Sequence, residues 1–284
     1  MKVTTLVENT VLEEKSNLHV EHGLSFFIEH NGQKILLDLG YSDLFLKNAK
    51  KLNCNILDVD ICIITHGHYD HGGFAGGMRS FFEQNKKAKL YMKTEALGNY
   101  WSIKPEKKQY IGLDLETIKK NKDRIVLLNN LTEISKGLFI VTKIEKRYKT
   151  PLGNKTLLKK ENEEFVPDDF LHELIVVFKD REGLIIITGC AHSGVLNMVD
   201  TVKKVFPNEK IKGIIGGFHL ANFATGLMNE DEKSVKTIGK KLYRISSLNK
   251  IYTGHCTGEV AFNVLKLELS QKLYFIKTGS VFEI

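Results

Sequence analysis

The sequence predicts a layered α/β sandwich, and three observations support this fold class. Runs typical of β-strands dominate the first third of the chain, whereas strands and helices alternate in the last third. No repeat of fixed period and no low-complexity tract interrupts this order. The 284 residues, 42% of them hydrophobic and 26% charged, are enough to build a large core.

The first third reads as strands with two helices between them. Residues 2–8 alternate in polarity, and two apolar runs flank Asn31-Gly32, a dipeptide typical of a tight hairpin. The further elements predicted in this part are a helix over 42–52, a buried strand over 59–65, a helix over 76–85 and a strand over 89–92.

Two irregular insertions are predicted inside one domain that spans residues 1–284. The first, near 93–123, is rich in lysine and contains Trp101 and Tyr110. The second, near 143–170, begins with seven basic residues against one acid and ends in acids alone. A loop of this length in a compact domain is uncommon and is often functional.

The last third predicts a hairpin followed by strands that alternate with helices. The predicted strands cover 174–178, 184–188, 211–215, 250–253 and 273–277, and the predicted helices cover 195–205, 230–246 and 259–269. Three of these strands end in the motifs GCAHSG, GGFHL and GHCTG, which contain His192, His219 and His255. Ligand sites of layered α/β proteins tend to lie at such strand ends, so we expect these histidines at one location.

The stretch HGHYDH, which contains His66, His68, Asp70 and His71, has the composition of a metal site. In extended backbone His66 and His68 point to the same side and can bind one ion. Asp70 and His71 lie on the following turn, where they could face a second ion. Imidazole suits zinc, iron and manganese, and two ions about 3.5–4 Å apart activate water and polarise phosphoryl or carbonyl oxygens.

Other histidines and cysteines receive simpler interpretations. His172 precedes a strand, and we expect a surface position or a supporting role for it. His19, His22 and His30 have no partner at ligand spacing and are set aside. Cys54 and Cys62 lie in apolar surroundings and are predicted to be buried; the four cysteines form no disulfide framework.

The motifs resemble those of the metallo-β-lactamase superfamily. THGHYDHGG is similar to its T-H-x-H-x-D-H signature, LLDLG to its upstream aspartate motif, and IYTGHCTG to its terminal histidine motif. The resemblance implies a four-layer αβ/βα sandwich in which Asp38 orients the metal loop without binding metal. GCAHSG, GGFHL and GHCTG resemble a narrower branch, named for 7,8-dihydropterin-6-yl-methyl-4-(β-D-ribofuranosyl)aminobenzene 5′-phosphate synthase.

This resemblance leads to a predicted set of ligands for two divalent metal ions. We expect His66, His68 and His192 at one ion, and Asp70, His71 and His255 at the other. Cys190 stands where a bridging aspartate is usual in the superfamily and is a candidate ligand of either ion. A cysteine binds metal as thiolate, which favours zinc over manganese or iron.

Two reactions fit such a centre. In the first, the protein is a metal-dependent hydrolase of a phosphorylated or ester-type small molecule. In the alternative, implied by the resemblance, it is a transferase that joins a dihydropterin to an aminobenzene ribosyl phosphate and releases pyrophosphate. Asp70 and His219 are the predicted catalytic residues, and Arg147 and Lys149 the predicted substrate-binding residues.

Other function classes are disfavoured. The net charge of +7 suggests a nucleic-acid-processing function. Against this function, the lysines are dispersed and the sequence has no basic platform with interleaved aromatic residues. A non-catalytic metal module is disfavoured because structural zinc sites are closed four-ligand cages. No apolar run could span a bilayer and the N-terminus lacks the pattern of a secretion signal, so we expect a cytoplasmic protein. The sequence does not predict its oligomeric state.

Overall fold

A computed structural model describes residues 1–12, 17–103 and 107–284. The chain divides into two compact units. Unit 1 comprises Met1–Leu128, Leu157–His172 and Ile276–Ile284, and unit 2 comprises Asn129–Thr156 and Glu173–Phe275. Every helix of the described residues is too short or too polar to cross a membrane.

The described chain contains strands and helices throughout its length. The strands are β1 (Lys2–Val7), β2 (Ser25–His30), β3 (Gln33–Leu37), β4 (Ile61–Ile63), β5 (Lys89–Lys93), β6 (Tyr100–Ile103), β7 (Lys108–Tyr110), β8 (Ile125–Leu128), β9 (Thr132–Ser135), β10 (Leu138–Val141), β11 (Leu157–Glu161), β12 (Glu164–Pro167), β13 (Ile175–Asp180), β14 (Gly183–Ile187), β15 (Ile211–Ile215), β16 (Ala221–Asn222), β17 (Leu227–Met228), β18 (Lys250–Thr253), β19 (Leu273–Phe275) and β20 (Val281–Glu283). The α-helices are α1 (Leu44–Lys51), α2 (Gly77–Gln84), α3 (Leu115–Lys120), α4 (Val195–Val205), α5 (Glu232–Tyr243) and α6 (Glu259–Leu269).

Unit 1 contains a mixed seven-stranded sheet in the order β20-β1-β2-β3-β4-β5-β8. The pairs β3–β4, β4–β5 and β5–β8 are parallel, whereas the pairs β20–β1, β1–β2 and β2–β3 are antiparallel. Parallel β3 and β4 pair Leu37 with Ile63, so their carboxyl ends lie side by side. Asp38 and the segment that carries His66 follow these two ends directly.

The core of unit 1 forms between this sheet and its helices. Phe45 of α1 and Phe81 of α2 are fully buried and share one apolar cluster with Leu36 of β3. Burying such side chains stabilises the fold by about 1.5–3 kcal/mol each. Cys54 and Cys62 belong to the same cluster, which confirms their prediction as buried residues.

Unit 2 contains a second mixed seven-stranded sheet, in the order β19-β18-β15-β14-β13-β10-β9. Strands β14, β15, β18 and β19 are parallel, whereas β9, β10 and β13 pair antiparallel with their neighbours. Helices α4, α5 and α6 pack with it around a core that includes Met198, Leu242 and Leu265. This order of strands and helices is the one that the sequence predicts for the last third.

The two segments predicted as irregular insertions contain regular structure. Strands β11 and β12 form a hairpin inside the second segment, and β11 pairs with β6 of the first segment. A four-stranded antiparallel sheet, β12-β11-β6-β7, results. The prediction of loops there differs from the structure because these strands are short and pair over long sequence separations, which local periodicity does not reveal. Residues 104–106 of the first segment lie outside the described residues.

Candidate metal centre

In unit 1 the candidate site is organised around the carboxylate of Asp38. Its Oδ1 accepts the backbone N–H of Thr65 at 2.8 Å, and its Oδ2 accepts the Thr65 hydroxyl at 2.8 Å. The same Oδ2 lies 2.6 Å from Nδ1 of His71. The Thr65 hydroxyl in turn lies 3.0 Å from Nδ1 of His66. One buried carboxylate therefore fixes a backbone segment and two imidazole rings.

These contacts determine which nitrogen of each ring carries the proton. The Thr65 hydroxyl gives its single hydrogen to Asp38, so it can only accept from Nδ1 of His66. His71 likewise donates from Nδ1, because a carboxylate is its partner. Both rings consequently present the lone pair of Nε2, which is the arrangement that metal ligation requires. The residues therefore fit divalent metal ions.

The imidazoles of the histidine loop, residues 66–71, lie close together. The ring of His66 is 4.7 Å from that of His68 and 4.2 Å from that of His71, centroid to centroid. The backbone bends at this point, so the closeness comes from a loop and not from an extended strand as predicted. Burial, together with the neighbouring histidines, lowers the pKa of His66 well below its usual value, which keeps this ring neutral.

Asp70 is buried at the edge of the histidine loop. Its Oδ2 lies 3.9 Å from Nε2 of His71 and 3.2 Å from Nε2 of His22. The sequence interpretation set His22 aside, and the structure corrects this. Its contact with Asp70 spans 48 positions of the chain, so no local spacing could have indicated it.

His172 is fully buried, which excludes the surface position considered for it. Its Nδ1 accepts the backbone N–H of Gly67 at 2.9 Å, so its Nε2 carries the proton and donates to Oδ2 of Asp168 at 3.0 Å. Burial would raise the pKa of Asp168, but the hydrogen bond from His172 and the nearby imidazole of His68 lower it far below its usual value. His172 therefore supports the backbone of the histidine loop from within unit 1.

In unit 2 the candidate residues follow the carboxyl ends of three adjacent parallel strands, β14, β15 and β18. Potential ligand atoms of Cys190, His192 and His219 all lie within 4.8 Å of one another, and those of Cys190, His255 and Cys256 do so as well. We call these five residues the cysteine–histidine cluster. The strand-end argument is confirmed for these three strands, and Cys256 is the member that the predicted ligand set omits.

Two polar side chains, the buried Glu173 and the partly exposed Asn154, hold His192 in place. Glu173 accepts the backbone N–H of His192 and of Ser193, each at 2.7 Å, with one oxygen for each. Asn154 donates from Nδ2 to the carbonyl of His192, and its Oδ1 lies 3.1 Å from Nδ1 of the same ring. Nδ1 must therefore donate to Asn154, so His192 also presents the lone pair of Nε2. Sequence reasoning missed both Glu173 and Asn154.

The glycines of GGFHL permit a close approach of three chain segments. A Cβ on Gly216 would lie 2.0 Å from the carbonyl oxygen of Thr188, and one on Gly217 would lie 2.3 Å from Sγ of Cys256. Gly216 also has a φ of +126°, which side-chain-bearing residues rarely adopt. These glycines therefore bring His219 to the cluster, where its ring lies 4.1 Å from that of His192.

Several candidate residues have a left-handed backbone. Asp38, His219 and His255 have φ values of +58°, +52° and +48°, and Ala191, between Cys190 and His192, has +55°. Such conformations are costly for residues other than glycine and tend to be kept where function requires them. The strain marks the same positions that the strand-end argument selects.

Of the two predicted substrate-binding residues, the structure places one at a cavity. Lys149 lines a cavity of about 510 Å³ in unit 2. Arg147 is exposed, lies 3.8 Å from Asp200 of α4, and is not among the lining residues of this cavity.

Comparison with known proteins identifies the family. Residues 20–196 match the model of the metallo-beta-lactamase superfamily. The chain belongs to this superfamily. Its fold class is thereby confirmed as that of the metallo-β-lactamase α/β sandwich.

Among the proteins that are similar to this chain, a synthase and a hydrolase carry the names of enzymes. The chain is 32% identical to 7,8-dihydropterin-6-methyl-4-(beta-D-ribofuranosyl)-aminobenzene-5′-phosphate synthase of Methanocaldococcus jannaschii, over 99% of this chain and 96% of that protein. It is similar to the crystal structure of Tm1679, a metal-dependent hydrolase of the beta-lactamase superfamily, with a TM-score of 0.83 and 29% identity over 100% and 99% of the two chains. Zn²⁺-bound PqqB of Methylobacterium extorquens shares the fold, with a TM-score of 0.59 and 10% identity over 100% of both chains.

These matches confirm the resemblance to the superfamily and to its synthase branch. The superfamily and its relatives indicate that the protein is an enzyme, either a hydrolase or a synthase. The superfamily also accounts for the histidine and cysteine groups as potential metal ligands.

Proposed function

We propose that the protein is a metal-dependent hydrolase that acts on a phosphorylated or ester-type small molecule. The observation that carries this proposal is in the histidine loop of unit 1, where His66 and His71 present Nε2 because Thr65 and Asp38 hold their Nδ1 atoms. Imidazoles oriented in this way are suited to metal ligation.

The proposed ligands are the set predicted from the sequence for two divalent metal ions, with zinc favoured over manganese or iron. This set comprises His66, His68, Asp70, His71, Cys190, His192 and His255. Bound ions of this kind lower the pKa of water and neutralise charge that develops on a phosphoryl or carbonyl oxygen. The thiolate of Cys190 is the reason for favouring zinc.

The protein's own residues supply position and proton transfer. Asp38 orients the histidine loop without touching the substrate. We assign to Asp70, which is buried beside His71 and His22, the acceptance of a proton from a nucleophilic water. We assign to His219, which lies beside His192 on a strained backbone, the donation of a hydrogen bond or a proton to a leaving group.

A second candidate function is favoured by one observation, the 32% identity to the Methanocaldococcus jannaschii synthase over nearly the whole chain. In this function the protein joins a dihydropterin compound to an aminobenzene ribosyl phosphate. The ligand set is the same, because pyrophosphate and a hydrolysable ester both need neutralisation of negative charge. The two functions differ in whether water or the amino group of the aminobenzene ribosyl phosphate attacks.

The metal centre is tested by His68→Ala, with His19→Ala as a control that removes an exposed imidazole. Metal content is measured by mass spectrometry of the purified proteins, and folding by circular dichroism. We expect His68→Ala to lose bound metal and activity while it keeps its fold, and His19→Ala to match the wild type. Unchanged metal content in folded His68→Ala contradicts the proposal.

The two reactions are separated by identifying the compound that copurifies with the protein. Mass spectrometry of the native protein, with metals counted in the same sample, reveals bound small molecules. A phosphorylated pterin or an aryl riboside supports the synthase reaction. A carboxylic acid or alcohol left by ester cleavage supports hydrolysis and contradicts synthesis.

A further inference from the structure

A second buried carboxylate, that of Asp168, lies beside the histidine loop of unit 1. Its Oδ2 is 3.8 Å from Nε2 of His68 and 3.0 Å from Nε2 of His172. The side chain of Asp168 is fully buried, and that of His68 is 5% exposed. In such surroundings a carboxylate and an imidazole interact strongly, because little water screens them. Asp168 therefore acts on two imidazoles at once.

Hydrogen bonds to both oxygens hold the Asp168 carboxylate in one orientation. Its Oδ1 accepts the backbone N–H of Phe170 at 2.7 Å, and its Oδ2 accepts the Nε2 proton of His172. His172 is itself fixed, because its Nδ1 accepts the backbone N–H of Gly67 at 2.9 Å. The carboxylate cannot turn away without breaking these bonds, so its Oδ2 stays beside His68.

This carboxylate determines which nitrogen of His68 carries the proton. A neutral imidazole has a proton on one ring nitrogen and a lone pair on the other. A lone pair on Nε2 would face the negative charge of Oδ2, whereas an N–H there is attracted to it. Shortening the 3.8 Å separation to a hydrogen bond needs a movement of under about 1 Å, which rotation of the ring supplies. His68 therefore keeps its proton on Nε2 and offers the lone pair of Nδ1.

The three imidazoles of the histidine loop are thus oriented by two different carboxylates. His66 and His71 offer Nε2, because the hydrogen bonds that begin at Asp38 hold their Nδ1 atoms. His68, between them in the chain, is oriented from the opposite nitrogen by Asp168. Potential ligand atoms of His66 and His68 lie within 4.8 Å of one another, so the two rings can still share one ion.

We propose that Asp168 is a positioning residue of the metal centre, which holds the ring of His68 through Nε2 and the backbone of Gly67 through His172. Without Asp168, the ring of His68 loses the charge that sets its orientation and its tautomer. This inference rests on the proposed function in one respect, namely that His68 binds a metal ion. It does not depend on which of the two reactions the enzyme catalyses.

The first test is NMR of the full chain labelled with ¹⁵N-histidine, recorded on metal-free and on zinc-loaded protein. The chemical shift of a ring nitrogen distinguishes its protonated, unprotonated and metal-bound forms, and the signals missing from His68→Ala assign those of His68. In the metal-free wild type we expect the proton on Nε2 of His68, and in the zinc-loaded protein a metal-bound Nδ1. In Asp168→Asn the negative charge is gone, so we expect a measurable fraction of His68 with its proton on Nδ1.

The second test is the zinc affinity of Asp168→Asn, measured by competition with a chromophoric chelator. We expect the affinity to fall about 10–100-fold, as for other partners behind a ligating histidine. Asp169→Asn is the matched control, because Asp169 is the next residue in the chain but is 43% exposed and paired with Lys159. It should bind zinc as tightly as the wild type.

The third test reads the ligating nitrogen from amide substitutions. The side-chain oxygen of asparagine can take the place of Nδ1, and that of glutamine the place of Nε2. We therefore expect His68→Asn to retain more zinc than His68→Gln at the same free zinc concentration. His71 should show the reverse order, with more zinc in His71→Gln than in His71→Asn, because Asp38 holds its Nδ1.

Three outcomes overturn the inference while the metal centre stands. They are a zinc-bound Nε2 of His68, folded Asp168→Asn that binds zinc like Asp169→Asn, and His68→Gln that retains more zinc than His68→Asn. If Asp168→Asn does not fold, the NMR of the wild type and the two amide variants of His68 still decide. Wild-type protein that binds no zinc contradicts the proposed function itself, whereas a proton on Nε2 of His68 in that protein still supports the contact with Asp168.

Discussion

The carboxylate of Asp38 accepts a 2.6 Å hydrogen bond from Nδ1 of His71, and both side chains are fully buried. The same carboxylate also binds the backbone and hydroxyl of Thr65. A buried carboxylate that accepts from several donors holds each donor in one orientation. Asp38 thus sets the direction of the histidine loop before any metal binds.

Asp38→Asn should weaken metal binding while the protein remains folded. An asparagine offers one oxygen where the aspartate offers two, so an NH₂ group must face either Thr65 or His71. We expect metal affinity to fall about 10–100-fold, the usual effect of losing a partner behind a ligating histidine. Competition with a chromophoric chelator measures the affinity. Asp43→Asn, at an exposed acid paired with Lys47, is the control, and equal affinity in all three proteins would contradict the role of Asp38.

His172→Ala should destabilise unit 1, because it leaves the N–H of Gly67 and the carboxylate of Asp168 without their common partner. Each buried group that loses its hydrogen bond costs about 1–3 kcal/mol. Urea unfolding followed by circular dichroism measures the loss, and Leu171→Ala, at an exposed neighbouring side chain, is the control.

Two further variants separate the two contacts of His172. In His172→Asn the side-chain oxygen can replace Nδ1 and accept the N–H of Gly67. In His172→Gln the side-chain NH₂ can replace Nε2 and donate to Asp168. Each should recover part of the stability lost in His172→Ala. If neither variant is more stable than His172→Ala, packing and not hydrogen bonding explains the burial of this ring.

Local patterns were enough to predict most elements and the ligand-bearing strand ends. Helix α4 and the hairpin of β2 and β3 follow from periodicity and from Asn31-Gly32, which act over a few residues. His192, His219 and His255 could be predicted because each lies within five residues of the end of an apolar strand. The parallel pairing of those strands, which brings the residues together, agrees with the predicted alternation of strands and helices.

The parts that the sequence did not reveal depend on contacts between distant positions. Glu173 accepts hydrogen bonds from the backbone N–H groups of His192 and Ser193. Because nearly every residue has a backbone N–H, the side chains of these two partners do not indicate the contact. His22 reaches Asp70 only because of the fold. Strand β11 pairs with β6 across more than fifty residues, so its segment resembles a loop when read locally.

Glu173→Gln should loosen the loop that carries His192. Glu173 is buried and uses one oxygen for each of two backbone N–H groups, so a glutamine must direct an NH₂ at one of them. We expect a loss of about 1–3 kcal/mol in the free energy of unfolding. Guanidinium unfolding measures it, and Glu182→Gln at an exposed acid should stay within about 0.5 kcal/mol of the wild type. Equal stability of the two variants would refute this role of Glu173.

Cys190→Asp should change which metal the protein prefers. A thiolate favours zinc, whereas a carboxylate is a harder ligand that suits manganese. The potential ligand atom of Cys190 lies within 4.8 Å of those of His192 and His219, so a ligand of either kind at this position would share their ion. We expect the ratio of Zn²⁺ to Mn²⁺ affinity to fall by about tenfold or more in Cys190→Asp. Metal competition followed by mass spectrometry measures the ratio.

Cys54→Ala, at a cysteine buried in the core of unit 1, should leave this ratio of affinities unchanged. A ratio that stays the same in Cys190→Asp shows that Cys190 does not bind the metal, and the preference for zinc then has to come from the histidines alone.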